Sequence, residues 1–398
     1  MKKKILVVDD SALMRRVLCD IINSDDRFEV VDTANDGLEG FKLIVDNKYD
    51  AIVLDVYMPK MTGLQMLEEL QKSHVPCKVM MASTTTGEGA RETMTALELG
   101  AIDFIKKPEN VADARHGEFR ERFLGILYTV ACARTPSVVV SRPRTTTPRT
   151  GPVFTSRYDV NFHTTAEKLA QQRAGATASA PVRRPLASSG QTKPVKNADE
   201  RPTPVAGGKI VAIASSTGGP RALQEVIPYL PAELNAPVLL VQHMPKGFTA
   251  SLADRMDELS SIHVSEAKEG ERISNGHVYI AQGGLHMKLE KRRDGYYIKY
   301  GDEPAREGVK PCANYMYESL MESDFREVVC VVMTGMGADG TAGIKNLNEK
   351  KKIYVIGQDE ESSTVYGMPK AIANTGLVNE VVSLDKIAEQ ITKNVGVH

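Results

Sequence analysis

Residues Lys209–Pro220 read KIVAIASSTGGP. Ile210–Ala214 is an apolar run with the length of a buried strand. It ends at Ser215, Ser216 and Thr217, and Gly218-Gly219-Pro220 then turns the chain into a helical pattern with Leu223, Val226 and Ile227 on one face. In parallel α/β sheets the carboxyl edge is where ligands bind and chemistry is placed. Two further stretches have the same shape. Val238–Pro245 (VLLVQHMP) is apolar until His243, and Val328–Gly340 (VVCVVMTGMGADG) is apolar until a glycine-rich turn that holds Asp339. Strands laid side by side would bring Ser216, His243 and Asp339 to one crevice, supplying a nucleophile, a base and a carboxylate to orient the base.

Each of these signals is ambiguous alone. Serine at a strand-to-helix turn often serves as an N-cap, and the G-x-S-x-G elbow is missing here. A glycine-rich turn opening a helix can also cradle phosphate, but no P-loop lysine follows and no G-x-G-x-x-G is present. The combination points to acyl transfer. A histidine ending the next strand can take the serine proton, a carboxylate can fix its tautomer, and glycines in MGADG can aim N–H groups at an oxyanion. Ser215 reads as a turn residue, His286 as structural, and His263 and His277 as surface or sheet histidines. Further strands are expected at 263–266, 278–281, 353–357 and 377–382. Met287–Glu290 and Tyr296–Tyr300 form a hairpin, and a closing helix spans Leu384–Val395.

Upstream, residues 1–125 alternate strand and helix patterns five times, which predicts a parallel sheet covered on both faces. The strands are Lys4–Val8, Glu29–Thr33, Ala51–Leu54, Lys78–Ala82 and Asp103–Ile105, with Ser11 capping the first helix. Polar residues gather at their ends: Asp9 and Asp10, Asp55, Ser83 and Thr84, and Lys107. Three carboxylates and a lysine at one edge suit a hard cation such as Mg²⁺ together with a phosphoryl group. Between the two α/β patterns, residues 135–206 are rich in Thr, Pro, Arg, Ala and Ser, with Arg and Lys outnumbering Asp and Glu by roughly three to one. This composition predicts a disordered basic linker, with one short helix over Tyr158–Gln172.

At 398 residues the chain has room for two or three cores. Fifty Lys and Arg against 51 Asp and Glu exclude a global polyelectrolyte partner such as nucleic acid. Five cysteines without C-x-x-C spacing fit a reducing compartment rather than a disulfide framework or zinc site. The basic start, MKKK, precedes too short an apolar run for a signal peptide, and no run is long enough to span a bilayer. The expectation is a cytoplasmic monomer, not inserted in a membrane.

The N-terminal motifs VVDDS, LDVYMP and GAIDFIKKP resemble the receiver domain of two-component response regulators. That resemblance makes Asp55 the acceptor of phosphate from a histidine kinase. Asp10, Asp55 and the Tyr57 carbonyl become Mg²⁺ ligands supported by Asp9, Ser83 the switch hydroxyl and Lys107 the phosphate-pairing lysine, with a cis Lys107–Pro108 bond. With YIAQGGLHM (Tyr279–Met287) and the three stretches above, the chain resembles the chemotaxis protein-glutamate methylesterases, the CheB family. The implied fold is a flavodoxin-like receiver domain (1–125), a helix end and linker (126–206), and a doubly wound, mostly parallel α/β hydrolase-type esterase domain (207–398). By the motifs STGG, QHMP and TGMGxDG, Ser216 is the nucleophile, His243 the base and Asp339 the orienter. The Met336 and Thr217 backbone N–H groups form the oxyanion hole.

The implied activity is phosphorylation-activated hydrolysis of glutamyl methyl esters, with deamidation of glutamines, on methyl-accepting chemotaxis receptors. Ester hydrolysis itself needs no cofactor. A phospho-regulated receptor-docking protein without catalysis is the alternative. Three positions depart from the family pattern: Cys312 stands for a serine, Asn314 for an aspartate and Gln282 for a loop proline.

Overall fold

The computed structural model describes residues 2–83, 87–108, 117–133 and 208–397. Thr84, the expected linker and the expected helix over Tyr158–Gln172 lie outside the described residues.

The N-terminal elements are β1 (Lys3–Val8), α1 (Ala12–Asn23), β2 (Phe28–Ala34), α2 (Gly37–Asp46), β3 (Ala51–Asp55), α3 (Gly63–Lys72), β4 (Val79–Ser83), α4 (Gly87–Glu98), β5 (Asp103–Lys106) and α5 (Gly117–Cys132). The sheet runs β2-β1-β3-β4-β5 with every pair parallel, so the order reverses at β1 and β3. Local sequence sets the helix starts. Ser11 accepts the Met14 N–H at the head of α1, and Thr62 forms a reciprocal capping box with Gln65 at the head of α3. Val17, Leu18, Ile21 and Ile22 then present one apolar stripe of α1 to the sheet. The boundary expected at residue 125 falls inside α5. Leu127, Val130 and Ala131 are buried in the same core as Val17 and Phe28, so this helix remains part of the first sheet's cover to its end.

The C-terminal sheet is built from β6 (Lys209–Ser215), β7 (Val238–Gln242), β8 (His263–Glu266), β9 (His277–Ile280), β12 (Glu327–Val332), β13 (Ile353–Gln358) and β14 (Glu380–Val382). Its order is β14-β13-β12-β6-β7-β9-β8, all parallel. Both faces are covered, which is why β6, β7 and β12 read as unbroken apolar runs rather than alternating ones. The helices are α6 (Gly219–Gln224), α7 (Phe248–Leu259), α8 (Ala313–Ser319), α9 (Thr341–Asn348), α10 (Met368–Ala373) and α11 (Ile387–Val395). Strands β10 (His286–Arg292) and β11 (Gly295–Gly301) form a separate antiparallel hairpin. Arg292 pairs directly with Gly295, so the turn is the two residues Arg293-Asp294, tighter than expected. Strand β14 is shorter than expected. Asn379 meets Val355 of β13 twice, its backbone N–H donating to the carbonyl at 2.9 Å and its side-chain Oδ1 accepting the N–H at 2.7 Å in place of a backbone carbonyl, and the ladder begins only at Glu380.

The sheets' helices share an apolar seam. Phe104 of β5 meets Phe248 of α7 with ring centroids 4.5 Å apart, and Glu98 of α4 pairs with Arg255 of α7 through two contacts of 2.6 and 3.1 Å.

Candidate active site

Strand β6 is the switch point of the second sheet: β7 lies on one side of it and β12 on the other. Register then brings the three strand ends together. Ser215 pairs with Gln242, the His243 N–H donates to the Ser215 carbonyl at 3.1 Å, and the Ser216 N–H donates to the Thr334 carbonyl at 3.0 Å. Close approach demands glycine at one point. A Cβ on Gly335 would lie 2.7 Å from Ser216 Cβ and 2.4 Å from Met368 Sδ.

His243 Nε2 lies 2.7 Å from Asp339 Oδ2, which leaves Nδ1 as the ring nitrogen not engaged by the carboxylate; among the described residues no hydrogen bond joins His243 to the Ser216 hydroxyl. The assignment is reversed from the template in which Nδ1 faces the carboxylate and Nε2 the serine, but the imidazole can shuttle a proton through either nitrogen. Asp339 is buried, and burial alone would push its carboxyl up. The imidazole, the Cys312 thiol and the Ala313 N–H outweigh that and hold it below its ordinary value. Among the described residues no hydrogen bond engages the backbone N–H of Thr217 or Met336, so both are free to donate. Met336 sits in the turn after β12, with its side chain half exposed and its sulfur 2.8 Å from the Thr129 hydroxyl of α5. On the receiver-side sheet, the Asp103 carboxyl hydrogen-bonds the Thr217 side chain. Burial pushes that carboxyl up, and the Thr217 hydroxyl pulls the other way.

Sequence reasoning missed one contributor. Gln242 is buried between the turns, accepting from Ser215 Oγ at 2.7 Å and donating to the carbonyls of Ser216 at 2.9 Å and His243 at 3.3 Å. A glutamine ending an apolar strand was the available signal, since buried amides must be satisfied. Ser215 is thereby a structural partner. His286 is buried too: it accepts the Cys312 N–H at Nδ1 and faces the Pro304 carbonyl through Nε2. His263 meets Asp257, and His277 meets Ser265, both away from the triad.

A second cluster lies at the carboxyl edge of the first sheet. Carboxylate oxygens of Asp9, Asp10 and Asp55 lie within 4.8 Å of one another, with Asp10 exposed and the others buried. Lys107 Nζ sits 2.7 Å from Asp9 and 2.6 Å from Asp55. Burial raises Asp55 to about 6, with Lys107 opposing. Three convergent hard oxygen donors fit a divalent cation such as Mg²⁺. Ser83 is buried at the end of β4, where it donates to the Gly89 carbonyl at 3.2 Å and accepts from Thr93 at 2.8 Å. Tyr57 follows β3 and is exposed. The Lys107–Pro108 bond, expected cis, is trans; Lys310–Pro311 is the cis bond among the described residues. Lys107 reaches both carboxylates in the trans arrangement.

Residues 5–116 match the model of the response regulator receiver domain, and residues 211–391 match that of CheB methylesterase. Over 393 residues the chain is 37% identical to the protein-glutamate methylesterase/protein-glutamine glutaminase of Geobacillus kaustophilus, covering 99% of both chains. The chain belongs to the CheB methylesterase family. The Bacillus subtilis protein-glutamate methylesterase/protein-glutamine glutaminase is 38% identical over 98% of both chains. The crystal structure of the Thermotoga maritima CheB methylesterase catalytic domain is 39% identical, with a TM-score of 0.46 over 47% of this chain and 99% of that one. Of the departures from the common CheB pattern, Cys312 and Asn314 both touch the Asp339 shell, whereas Gln282 hydrogen-bonds the Tyr300 hydroxyl through its backbone.

Proposed function

We propose that the chain is a phosphorylation-activated protein-glutamate methylesterase and protein-glutamine deamidase acting in the cytoplasm on chemoreceptor helices. The observation that carries this reading is the 2.7 Å His243–Asp339 pair, with His243 directly after β7 and Ser216 directly after the neighbouring β6, at the switch point of the sheet. Ser216 Oγ attacks the glutamyl ester carbonyl while His243 Nδ1 takes its proton. Asp339 stabilises the imidazolium, and the Thr217 and Met336 N–H groups hold the oxyanion. Collapse of the tetrahedral intermediate passes the Nδ1 proton to the leaving methoxide, releasing methanol. Water then repeats the sequence on the acyl-enzyme and frees the glutamate carboxylate. A glutamine side chain follows the same route with ammonia as the leaving group.

Asp55 takes phosphate from a histidine kinase, and Ser83 and Lys107 receive the phosphoryl oxygens. Asp9, Asp10, Asp55 and the Tyr57 carbonyl would hold Mg²⁺, which when bound offsets phosphoryl charge during transfer. The domain division is part of the proposal, with the receiver extended from the expected residue 125 to the end of α5 at Cys132, the linker following it, and the esterase domain at 207–398. Contacts of α4, β5 and α5 with α7 and with the Met336 turn support a receiver that limits access until it is phosphorylated. The test is methanol release from methylated receptor by wild type and Ser216→Ala, with and without a small-molecule phosphodonor and Mg²⁺. Release that the phosphodonor raises and that Ser216→Ala lacks is the expected result. No release from wild type under any condition defeats the reading.

A further inference from the structure

Asp339 is the most heavily engaged carboxylate of the site. Its Oδ2 faces His243 Nε2 at 2.7 Å and the Ala313 N–H at 2.6 Å. Its Oδ1 accepts from the Asn314 N–H at 3.0 Å, the Gly340 N–H at 2.8 Å and the Cys312 thiol at 3.0 Å. The thiol is the one side-chain donor on Oδ1. Cys312 stands at the N-cap of α8, yet its side chain caps nothing there and turns to Asp339 instead. Its backbone is held on the other side, where its N–H donates to His286.

The thiol is also confined to one role. It is fully buried, and burial followed by the neighbouring carboxylate pushes it up to about 12. Across any working pH it is therefore S–H, able to donate and unable to act as a nucleophile. The second departure from the family pattern belongs to the same shell. Asn314 Oδ1 accepts from Gly340 at 3.1 Å and Gly343 at 2.6 Å, while its Nδ2 donates to Glu307 at 2.7 Å. An aspartate there would place a second negative charge beside Asp339 and would have no proton for Glu307. Asparagine adds no charge of its own beside Asp339 and supplies the proton that Glu307 accepts.

We propose that Cys312 is a positioning residue for the triad: its thiol, donating to Oδ1 alongside two backbone N–H groups, helps to orient the Asp339 carboxylate and tempers the negative charge that Asp339 presents to His243. The inference rests on the esterase reading above. Loss of the donor would leave more charge on the carboxylate, which stabilises the imidazolium and makes the base harder to regenerate. It would also remove one of the three donors on Oδ1, so that the carboxylate, still held by backbone N–H groups, keeps the Nε2 contact less firmly.

The experiment compares full-length wild type, Cys312→Ala and Cys312→Ser. Two readouts are used: the downfield proton NMR signal of the Nε2–H shared by His243 and Asp339, assigned by its loss in His243→Gln, and the pH profile of kcat/KM for methanol release. For Cys312→Ala the expected results are a displaced Nε2–H signal, an acid limb raised by about half a pH unit, and kcat lower by roughly tenfold with KM little changed. Cys312→Ser keeps a donor on a shorter arm and restores most of each property. An unmoved Nε2–H signal in Cys312→Ala overturns the inference, whether or not the ester is hydrolysed. Equal displacement in the Ala and Ser variants also overturns it, because packing and not donation would then be the cause. A displaced signal in an enzyme that releases no methanol upholds the positioning role and rejects the substrate.

Discussion

At the scale of single residues, the proposed catalytic constellation depends on groups given no part in the chemistry itself. Gln242 makes the nucleophile turn and the base turn one rigid unit, because its amide closes hydrogen bonds to Ser215, Ser216 and His243. Removing it leaves the buried Ser215 hydroxyl without its acceptor and the His243 carbonyl without its amide donor, at about 1–3 kcal/mol for each group left unsatisfied, while the Ser216 carbonyl keeps the Gly219 N–H at 2.7 Å. Gln242→Ala is expected to lower the melting temperature by several degrees and to cut kcat more than KM, as read by calorimetry and methanol release. A variant with normal kcat would show that the two turns hold their positions without the amide. His286 gives a pH test. Burial, outweighing the Pro304 carbonyl, depresses its protonation below the ordinary value of 6.5. The neutral ring accepts the Cys312 N–H, so the stability it contributes is present above the unfolded value and is lost as pH falls below it. Wild type is expected to lose thermal stability more steeply as pH falls below 6.5 than His286→Asn, which keeps an acceptor and cannot titrate. Parallel slopes would remove His286 from this role.

At the scale of elements, apolar runs and their terminators carried most of the information. Strands β6, β7 and β12 are covered on both faces, so their sequences are continuously apolar. The polar residue that ends each run is by that fact at the carboxyl edge. Ser216, His243, Asp339, Asp55 and Lys107 were legible for this reason. What was not legible depends on pairing between distant segments. No local pattern says that β12 lies beside β6, that Gly335 must admit Ser216 Cβ, or that the His243 ring turns Nε2 toward Asp339. The first domain's boundary was set at 125, inside α5, because packing and not the helical pattern decides that Leu127 and Val130 belong to the same core as α1 and β2. Gly335→Ala tests the register argument. Its Cβ would meet Ser216 and Met368 well inside van der Waals contact, so a loss of at least tenfold in kcat is expected with the chain still folded. Full activity would mean that the turn relaxes freely.

At the scale of the whole molecule, the question is how a phosphoryl group on one sheet reaches a serine on the other. The shared seam is mixed: besides apolar packing it holds an aromatic pair, a bidentate ion pair, the Thr129–Met336 contact and the Asp103–Thr217 hydrogen bond. A seam of this kind can be tipped by small energies, since a closed state favoured by one or two kcal/mol still opens measurably. Arg255 and Glu98 are partly exposed, so their pair is worth about 1 kcal/mol at most. Breaking it without touching either catalytic cluster should therefore raise basal methanol release about two- to fivefold, while leaving the phosphodonor-stimulated maximum where it was. Asp55→Asn should do the converse, keeping basal release and abolishing stimulation. The double variant Glu98→Ala/Asp55→Asn separates the two effects. If opening is the only link between the sheets, it keeps the raised basal rate of Glu98→Ala and ignores the phosphodonor. If its basal rate instead falls back to the wild-type level, the ion pair acts through the Asp55 pocket rather than on the seam itself, and the two-state account fails.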